Sequence, residues 1–292
     1  MQENGWVARS EWRAMPARRA DPGPHPTRRI SWRGPIALAL AGLVAAGATS
    51  AAHAWGNLLL IEAPPADSTL AIGATTFVLP RHPGADRLEA SVWPGLDYYR
   101  SNGFFVSTEN GLGWNLAPRS DVQAGIRLWP QPGRRARDVR PGLSPIPLRI
   151  QEELFANIQA LPALLLQSGW LYGSGPHRDG MQLEIGATSG LPIGTDLLAV
   201  GLAATYANAA HRQGYYGLST SDALASGLAA TRPLRAGWQD WSLTFSAEHR
   251  LSARWHVDGQ LVVARLLGVA APTPIVASRR QLGATFSLWY HL

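Results

Sequence analysis

The sequence predicts an all-β fold, a closed antiparallel transmembrane β-barrel of about 10–12 strands made behind a cleaved signal peptide. Three observations predict it. No stretch after Trp55 approaches the roughly 18 consecutive apolar residues of a spanning helix, so an α-helical membrane bundle is excluded. Period-2 alternation recurs instead, in pieces of about ten residues separated by Gly, Pro, Asp and Asn. A short apolar run near the N-terminus leads into a small-residue cleavage pattern.

That run is residues 36–48, IALALAGLVAAGA, preceded by Arg28, Arg29 and Arg33 and followed by Ala52-His53-Ala54. The layout is that of a secretory signal, with cleavage expected after Ala54 and Trp55 as the first mature residue. An N-terminal membrane anchor is the alternative, but the run is shorter than the roughly 20 residues a bilayer needs and is rich in weakly apolar Ala. The stretch before it is long, so Met15 is a second candidate start, and Arg28-Arg29 resembles a twin-arginine pair only faintly. The expected division is an extension with signal peptide over 1–54, a short segment over 55–69, and the barrel over 70–292.

The strands follow in order. Residues 70–79 place Leu70, Ile72, Ala74, Thr76 and Val78 on one face. The next set is Leu88, Ala90, Val92, Pro94, Leu96 and Tyr98, where Pro94 costs a ladder hydrogen bond unless it sits at a bulge or bend. Short pieces near 103–106 and 112–116 are expected. Val122, Ala124, Ile126 and Leu128 then oppose Gln123, Gly125 and Arg127. Further strands are read at about 150–160, 163–173, 180–189, 195–206, 237–248 and 253–266. The last segment sets Leu282, Ala284, Phe286, Leu288, Tyr290 and Leu292 against Gly283, Thr285, Ser287, Trp289 and His291. Residues 221–230 read as a short helix within a long loop, and the Arg/Pro-rich 130–147 as loop.

Composition agrees with this reading. Of 292 residues, 46% are hydrophobic and only 16% charged, yet mean hydropathy is −0.06, so apolar residues are diluted along the chain. Seven of the 26 basic residues precede the apolar run; from Trp55 onward 19 Arg face 17 acids, a net of +2. A nucleic-acid binder keeps its basic excess in the folded part, so that class is excluded. The absence of Cys removes disulfides and thiolate metal sites.

Closure follows from the solvent. In lipid every backbone polar group must pair internally, so strands span only if the sheet closes. Aromatic girdles are expected at the boundaries, and Trp55, Trp93, Trp114, Trp129, Trp170, Trp238, Trp241, Trp255 and Trp289 fall near strand ends. A terminal amphipathic strand reaching Leu292 has the form of an outer-membrane assembly signal, although such signals usually finish in Phe.

With these elements in place, an ordered series of local motifs resembles the MipA/OmpV family, outer-membrane proteins named for the MltA-interacting protein. Pro80, Pro83-Gly84, Pro94, Asp97-Tyr98 and Phe104-Phe105 fit its opening. Gly111-Leu112-Gly113-Trp114-Asn115-Leu116 is similar to its G-L-G-x-N-L segment. Thr205-Tyr206 followed by Tyr215-Tyr216-Gly217-Leu218-Ser219 is the sharpest match, and Pro274-Ile275-Val276 precedes the last strand as in the family. The resemblance runs over about 70–292. It implies a non-catalytic scaffold of the outer membrane that links a murein (peptidoglycan) hydrolase to a murein synthase in cell-wall growth. Its neighbours would be outer-membrane lipid and lipopolysaccharide.

The alternative is a small pore or solute-uptake channel, for which Gln123, Arg127, Gln260 and Arg265 are the expected lumen residues. A partner-binding role draws attention to 134–140 as a contact loop, if it faces the periplasm. Tyr215 and Tyr216 read as rings bracing the barrel mouth, with Gly217 making a turn. No metalloprotease, Walker or dinucleotide motif is present. His177, His211, His249, His256 and His291 lack ligand spacing, so no metal or cofactor is expected. For catalysis only His211 with Asp222, and His249 with Ser246 or Asp258, warrant inspection, and no enzymatic activity is expected.

Overall fold

The computed structural model describes residues 65, 67–117, 119, 121–131, 133–268 and 272–292. The expected signal peptide over 1–54, and Trp55, lie outside them. Twelve strands form one closed antiparallel barrel, each paired with its neighbours in sequence and the last with the first. They are β1 (Thr69–Pro80), β2 (Leu88–Tyr99), β3 (Phe104–Ser107), β4 (Gly111–Asn115), β5 (Val122–Gln131) and β6 (Arg149–Leu161). The second half has β7 (Leu164–Ser174), β8 (Gly180–Ile193), β9 (Asp196–Ala207), β10 (Gly237–Arg250), β11 (Trp255–Leu266) and β12 (Arg280–His291). Two helices, α1 (Ala209–Tyr216) and α2 (Thr220–Ser226), lie in the β9–β10 connection.

Alternation decides which face goes where. On β6, Ile150, Leu154 and Ile158 are exposed, and Gln151, Glu153, Phe155 and Asn157 are buried. Such a strand has an apolar face for lipid and a polar face for a lumen, the inverse of a soluble protein. The same parity corrects two expectations. Trp93, Trp129 and Trp289 share faces with Ser91, Arg127 and Ser287 and point inward; Trp129 and Trp289 are buried. Trp114, Trp170, Trp238, Trp241 and Trp255 point outward as a girdle requires. Arg265 is exposed on the outer face, because it stands an odd number of positions from lumen-facing Gln260.

The two ends differ. The connections 100–103, 162–163, 194–195 and 251–254 are short, and define the turn end. At the other end 81–87, 132–148, 208–236 and 267–279 are longer, and define the loop end. Residues 134–140 therefore lie at the loop end.

The wall is incomplete on one side. β3 and β4 form a stub that meets β2 only at 97–99, leaving 88–96 with β1 as their sole strand partner among the described residues. The tip of the stub bends into the lumen. Glu109 accepts from Ser287 Oγ of β12 at 2.5 Å, and Asn110 Nδ2 donates to Tyr99 OH at 2.9 Å. Thr108 caps the free edge: its N–H donates to Leu96 O at 2.8 Å, and its hydroxyl accepts from Leu96 N at 2.9 Å and donates to Pro94 O at 3.2 Å. Even-numbered β2 residues thus turn their peptide groups away from β1. Pro94 sits where its missing N–H removes one donor from that edge, which accounts for its place in a regular strand paired with Ala74.

Candidate functional site

The loop end carries a folded lid. Asn208 caps α1 by accepting from His211 N at 2.8 Å, and Ser219 caps α2 by accepting from Asp222 N at 3.1 Å. Tyr215 and Tyr216, at the end of α1, pack with Ile146, Leu234 and the lumen-facing Ala264 and Leu266. A second cluster joins Leu143, Leu218, Ala223 and Ile275. The side chain of Arg134, 3% exposed, donates to Tyr215 O and Ser144 O, both at 3.1 Å, and Ser144 Oγ donates to Asp222 at 2.7 Å. Arg135 reaches Glu89 on the lumen face of β2, and Asp138. The 133–148 segment therefore crosses the mouth and is tied down at both sides. Gly217 has an extended backbone, so no turn demands it; a Cβ there would lie 2.1 Å from Gln213 Nε2.

Beneath the lid the lumen is filled with paired polar groups. Arg127 binds Glu153 through two hydrogen bonds of 2.6 and 3.0 Å, with both side chains 2% exposed. Thr205 donates to Asp240 at 3.0 Å, Thr188 to Gln167 at 2.7 Å and Asn157 to Gln123 at 3.2 Å. Of the expected pore residues, Gln123 and Arg127 do face inward, but as members of this network.

The turn end is hollow. A chamber of about 670 Å³ reaches the rim at Gly194, Thr195, Ser252 and Ala253, and is bounded above by Phe77, Gln167, Thr188 and Ala203. Its walls carry Asp97, Glu109, Asp196, Glu248 and Asp258, with Arg250, His256, His291, Tyr99 and Trp289. Trp289 Nε1 donates to Asp258 at 2.7 Å, and the rings of His256 and His291 stack at 4.6 Å and share a 2.6 Å hydrogen bond.

The pairings considered for catalysis are not the ones formed. His211 bonds Ser174 Oγ at 2.7 Å and stacks on Tyr215, while Asp222 is engaged with Ser144. Ser174 is fully buried and His211 is 2% exposed, so substrate has no access. Burial pulls the His211 pKa down to about 3, holding the ring neutral. His249 is bonded to Asp196 at 2.5 Å; Ser246 bonds Gln260, and Asp258 bonds Trp289. His177 is exposed in the 175–179 connection. Among the described residues no group of three or more His, Cys, Asp or Glu could hold a metal ion. The convergence of the chamber's carboxylates and the Glu109–Ser287 contact escaped sequence reasoning, since residues 178 apart carry no local signal.

An apolar outer band, a polar filled lumen, short turns at one end and long loops at the other define a β-barrel of the bacterial outer membrane. The model of the family described as MltA-interacting protein MipA matches residues 72–292, and the chain belongs to that family. No curated protein matches it in sequence. Solved structures similar to it include a bacterial polysaccharide outer membrane secretin, at 9% identity and a TM-score of 0.37, covering 77% of this chain and 98% of that one. An outer membrane channel of Pseudomonas putida F1 is 11% identical with a TM-score of 0.39, over 79% and 97% of the two chains. Of the residues that carried the sequence resemblance, Tyr215, Tyr216, Leu218 and Ile275 are buried in the lid, and Phe104-Phe105 and Gly111–Asn115 form the β3–β4 stub.

Proposed function

We propose that this protein is a non-catalytic scaffold of the outer membrane that brings together a murein hydrolase and a murein synthase on its periplasmic side. The lid supports this reading most. Tyr216, Arg134 and the Arg127–Glu153 pair occupy the cross-section a solute would have to traverse. Outer-membrane barrels carry short periplasmic turns and long external loops. By that rule the chamber end faces the periplasm, where such enzymes work, and 134–140 faces outward. The family description names an interaction with MltA, in line with a partner-binding role. The contact surface then lies on the turn end. Export behind a signal peptide cleaved after Ala54 belongs to the same proposal, and a mature N-terminus at Trp55 is its expected trace.

The test uses detergent-solubilised protein as bait in envelope extract, together with planar-bilayer conductance. A scaffold retains murein enzymes on the column and shows no steady conductance. Steady conductance with no murein enzyme retained would overturn it in favour of a small pore.

A further inference from the structure

We propose that Arg265 and Arg280 clamp the phosphomonoester headgroup of an outer-leaflet lipid against the barrel wall, a site that goes beyond the scaffold reading and rests only on the loop end facing outward. From Trp55 onward the chain is nearly neutral, but its charges are not evenly placed. The five connections that reach the loop end (81–87, 132–148, 175–179, 208–236 and 267–279) carry eleven Arg against four Asp. That end is therefore the cationic pole of the barrel, and the ligand it favours is anionic.

Arg265 and Arg280 bring such charges together on the lipid face. They are direct cross-strand partners on β11 and β12, and both are exposed. Leu266 N donates to Arg279 O at 2.9 Å. That pair is thus the hydrogen-bonded one, and Arg265 with Arg280 is a non-hydrogen-bonded pair, whose side chains stand closer. Like charges directly opposed on a sheet repel. The wall does not neutralise them: the outward positions of β10, β11 and β12 hold no Asp or Glu. Asp86, exposed on the adjoining 81–87 connection, pairs with neither, and neither arginine forms an ion pair among the described residues.

The surroundings select a lipid over a free anion. Trp241 stands directly opposite Arg265, so Trp241, Arg265 and Arg280 form one outward row across three strands. The next outward row toward the midplane is Leu243, Val263 and Leu282. A cationic row at the aromatic boundary, with an apolar row beneath it, matches a headgroup above its acyl chain. Charge selects the headgroup. Each guanidinium can bind two phosphate oxygens at once. A phosphomonoester offers three free oxygens and about two negative charges to balance the two cations, whereas a diester offers one.

Native mass spectrometry of the folded full-length protein in a neutral detergent counts the lipids retained per barrel. Phosphatidic acid is the monoester probe, phosphatidylglycerol the diester comparator and inorganic phosphate the competitor. One phosphatidic acid should be held about tenfold more tightly than phosphatidylglycerol and should survive an equal concentration of phosphate. Arg265→Gln with Arg280→Gln should abolish the preference, while Arg232→Gln, exposed on the 208–236 connection, should keep it. As a second measurement, phosphatidic acid should raise the midpoint for loss of heat-modifiable migration in the unsubstituted protein and not in the double variant. Equal retention of the two lipids, displacement by inorganic phosphate, or an unchanged preference in the double variant would overturn the proposal.

Discussion

Trp289 donates its indole N–H to Asp258 on the neighbouring strand, at 2.7 Å, while the same ring covers Gly73 and Gly95, one and two strands away in the other direction. One side chain thus spans β11, β12, β1 and β2, across the junction where the first strand meets the last. The two glycines are slots for it. A Cβ on Gly73 would lie 2.0 Å from Leu288 O, and one on Gly95 2.7 Å from the Trp289 ring. Gly95→Ala should cost about 1–3 kcal/mol by overpacking, read as a lower midpoint for loss of heat-modifiable gel migration. Trp289→Leu in the same chain should recover part of it. An unchanged midpoint for Gly95→Ala would mean that the slot is not tight.

The Arg127–Glu153 pair gives a second prediction. Arg127→Met leaves Glu153 buried without its counter-charge and should cost about 3–5 kcal/mol in urea unfolding. Arg127→Met with Glu153→Leu should lose much less, since a buried pair contributes little net over apolar groups of similar volume. If the double variant is as unstable as the single one, the network has a role other than mutual neutralisation.

The lid should respond to acid. His211 is neutral in the fold, with its pKa lowered by burial to about 3 from a free value near 6.5. Between those values the opened lid takes up a proton that the closed lid refuses, so stability falls as pH drops below 6.5 and stops falling near 3. At pH 4.5 this costs about 2–3 kcal/mol. Protection of the α1 amides, after correction for the intrinsic exchange rate at each pH, should fall from pH 7 to pH 4.5, and His211→Asn should flatten the dependence. A flat profile in the unsubstituted protein would show that His211 is not closed off as described.

Exchange should also map the free edge of β2. The amides of Ala90 and Val92 point away from β1, where no strand partners them among the described residues, while those of Ser91 and Trp93 point toward it. In detergent micelles the first pair should exchange faster than the second. Equal protection would indicate that something pairs the edge.

Much of this fold was legible from alternation alone. The final strand's two faces, and those beginning at Leu70 and Leu88, are as the residue pattern sets them, because the structure buries one parity and exposes the other. The same rule could have placed Trp93, Trp129, Trp289 and Arg265, had parity outweighed the expectation of a girdle. What was not legible depends on tertiary contact. Residues 209–216 form a helix because Asn208 caps them and the lid buries their tyrosines; their polar sequence gives little periodic signal. The short pieces near 103–116 were visible as strands. That their turn would fold inward to reach Ser287 was not, since nothing local distinguishes a hairpin that stays in the wall from one that leaves it.

The stub of β3 and β4 has a geometric consequence. A barrel built of equal strands looks the same to lipid from every azimuth and can rotate about the membrane normal without changing what it presents. This one cannot. Where β2 runs on with no flanking strand among the described residues, Val92 is 72% exposed, above every other large apolar strand residue described. The molecule therefore has a front, a bearing within the plane of the bilayer, and anything assembled around it can be laid out in angle as well as in depth.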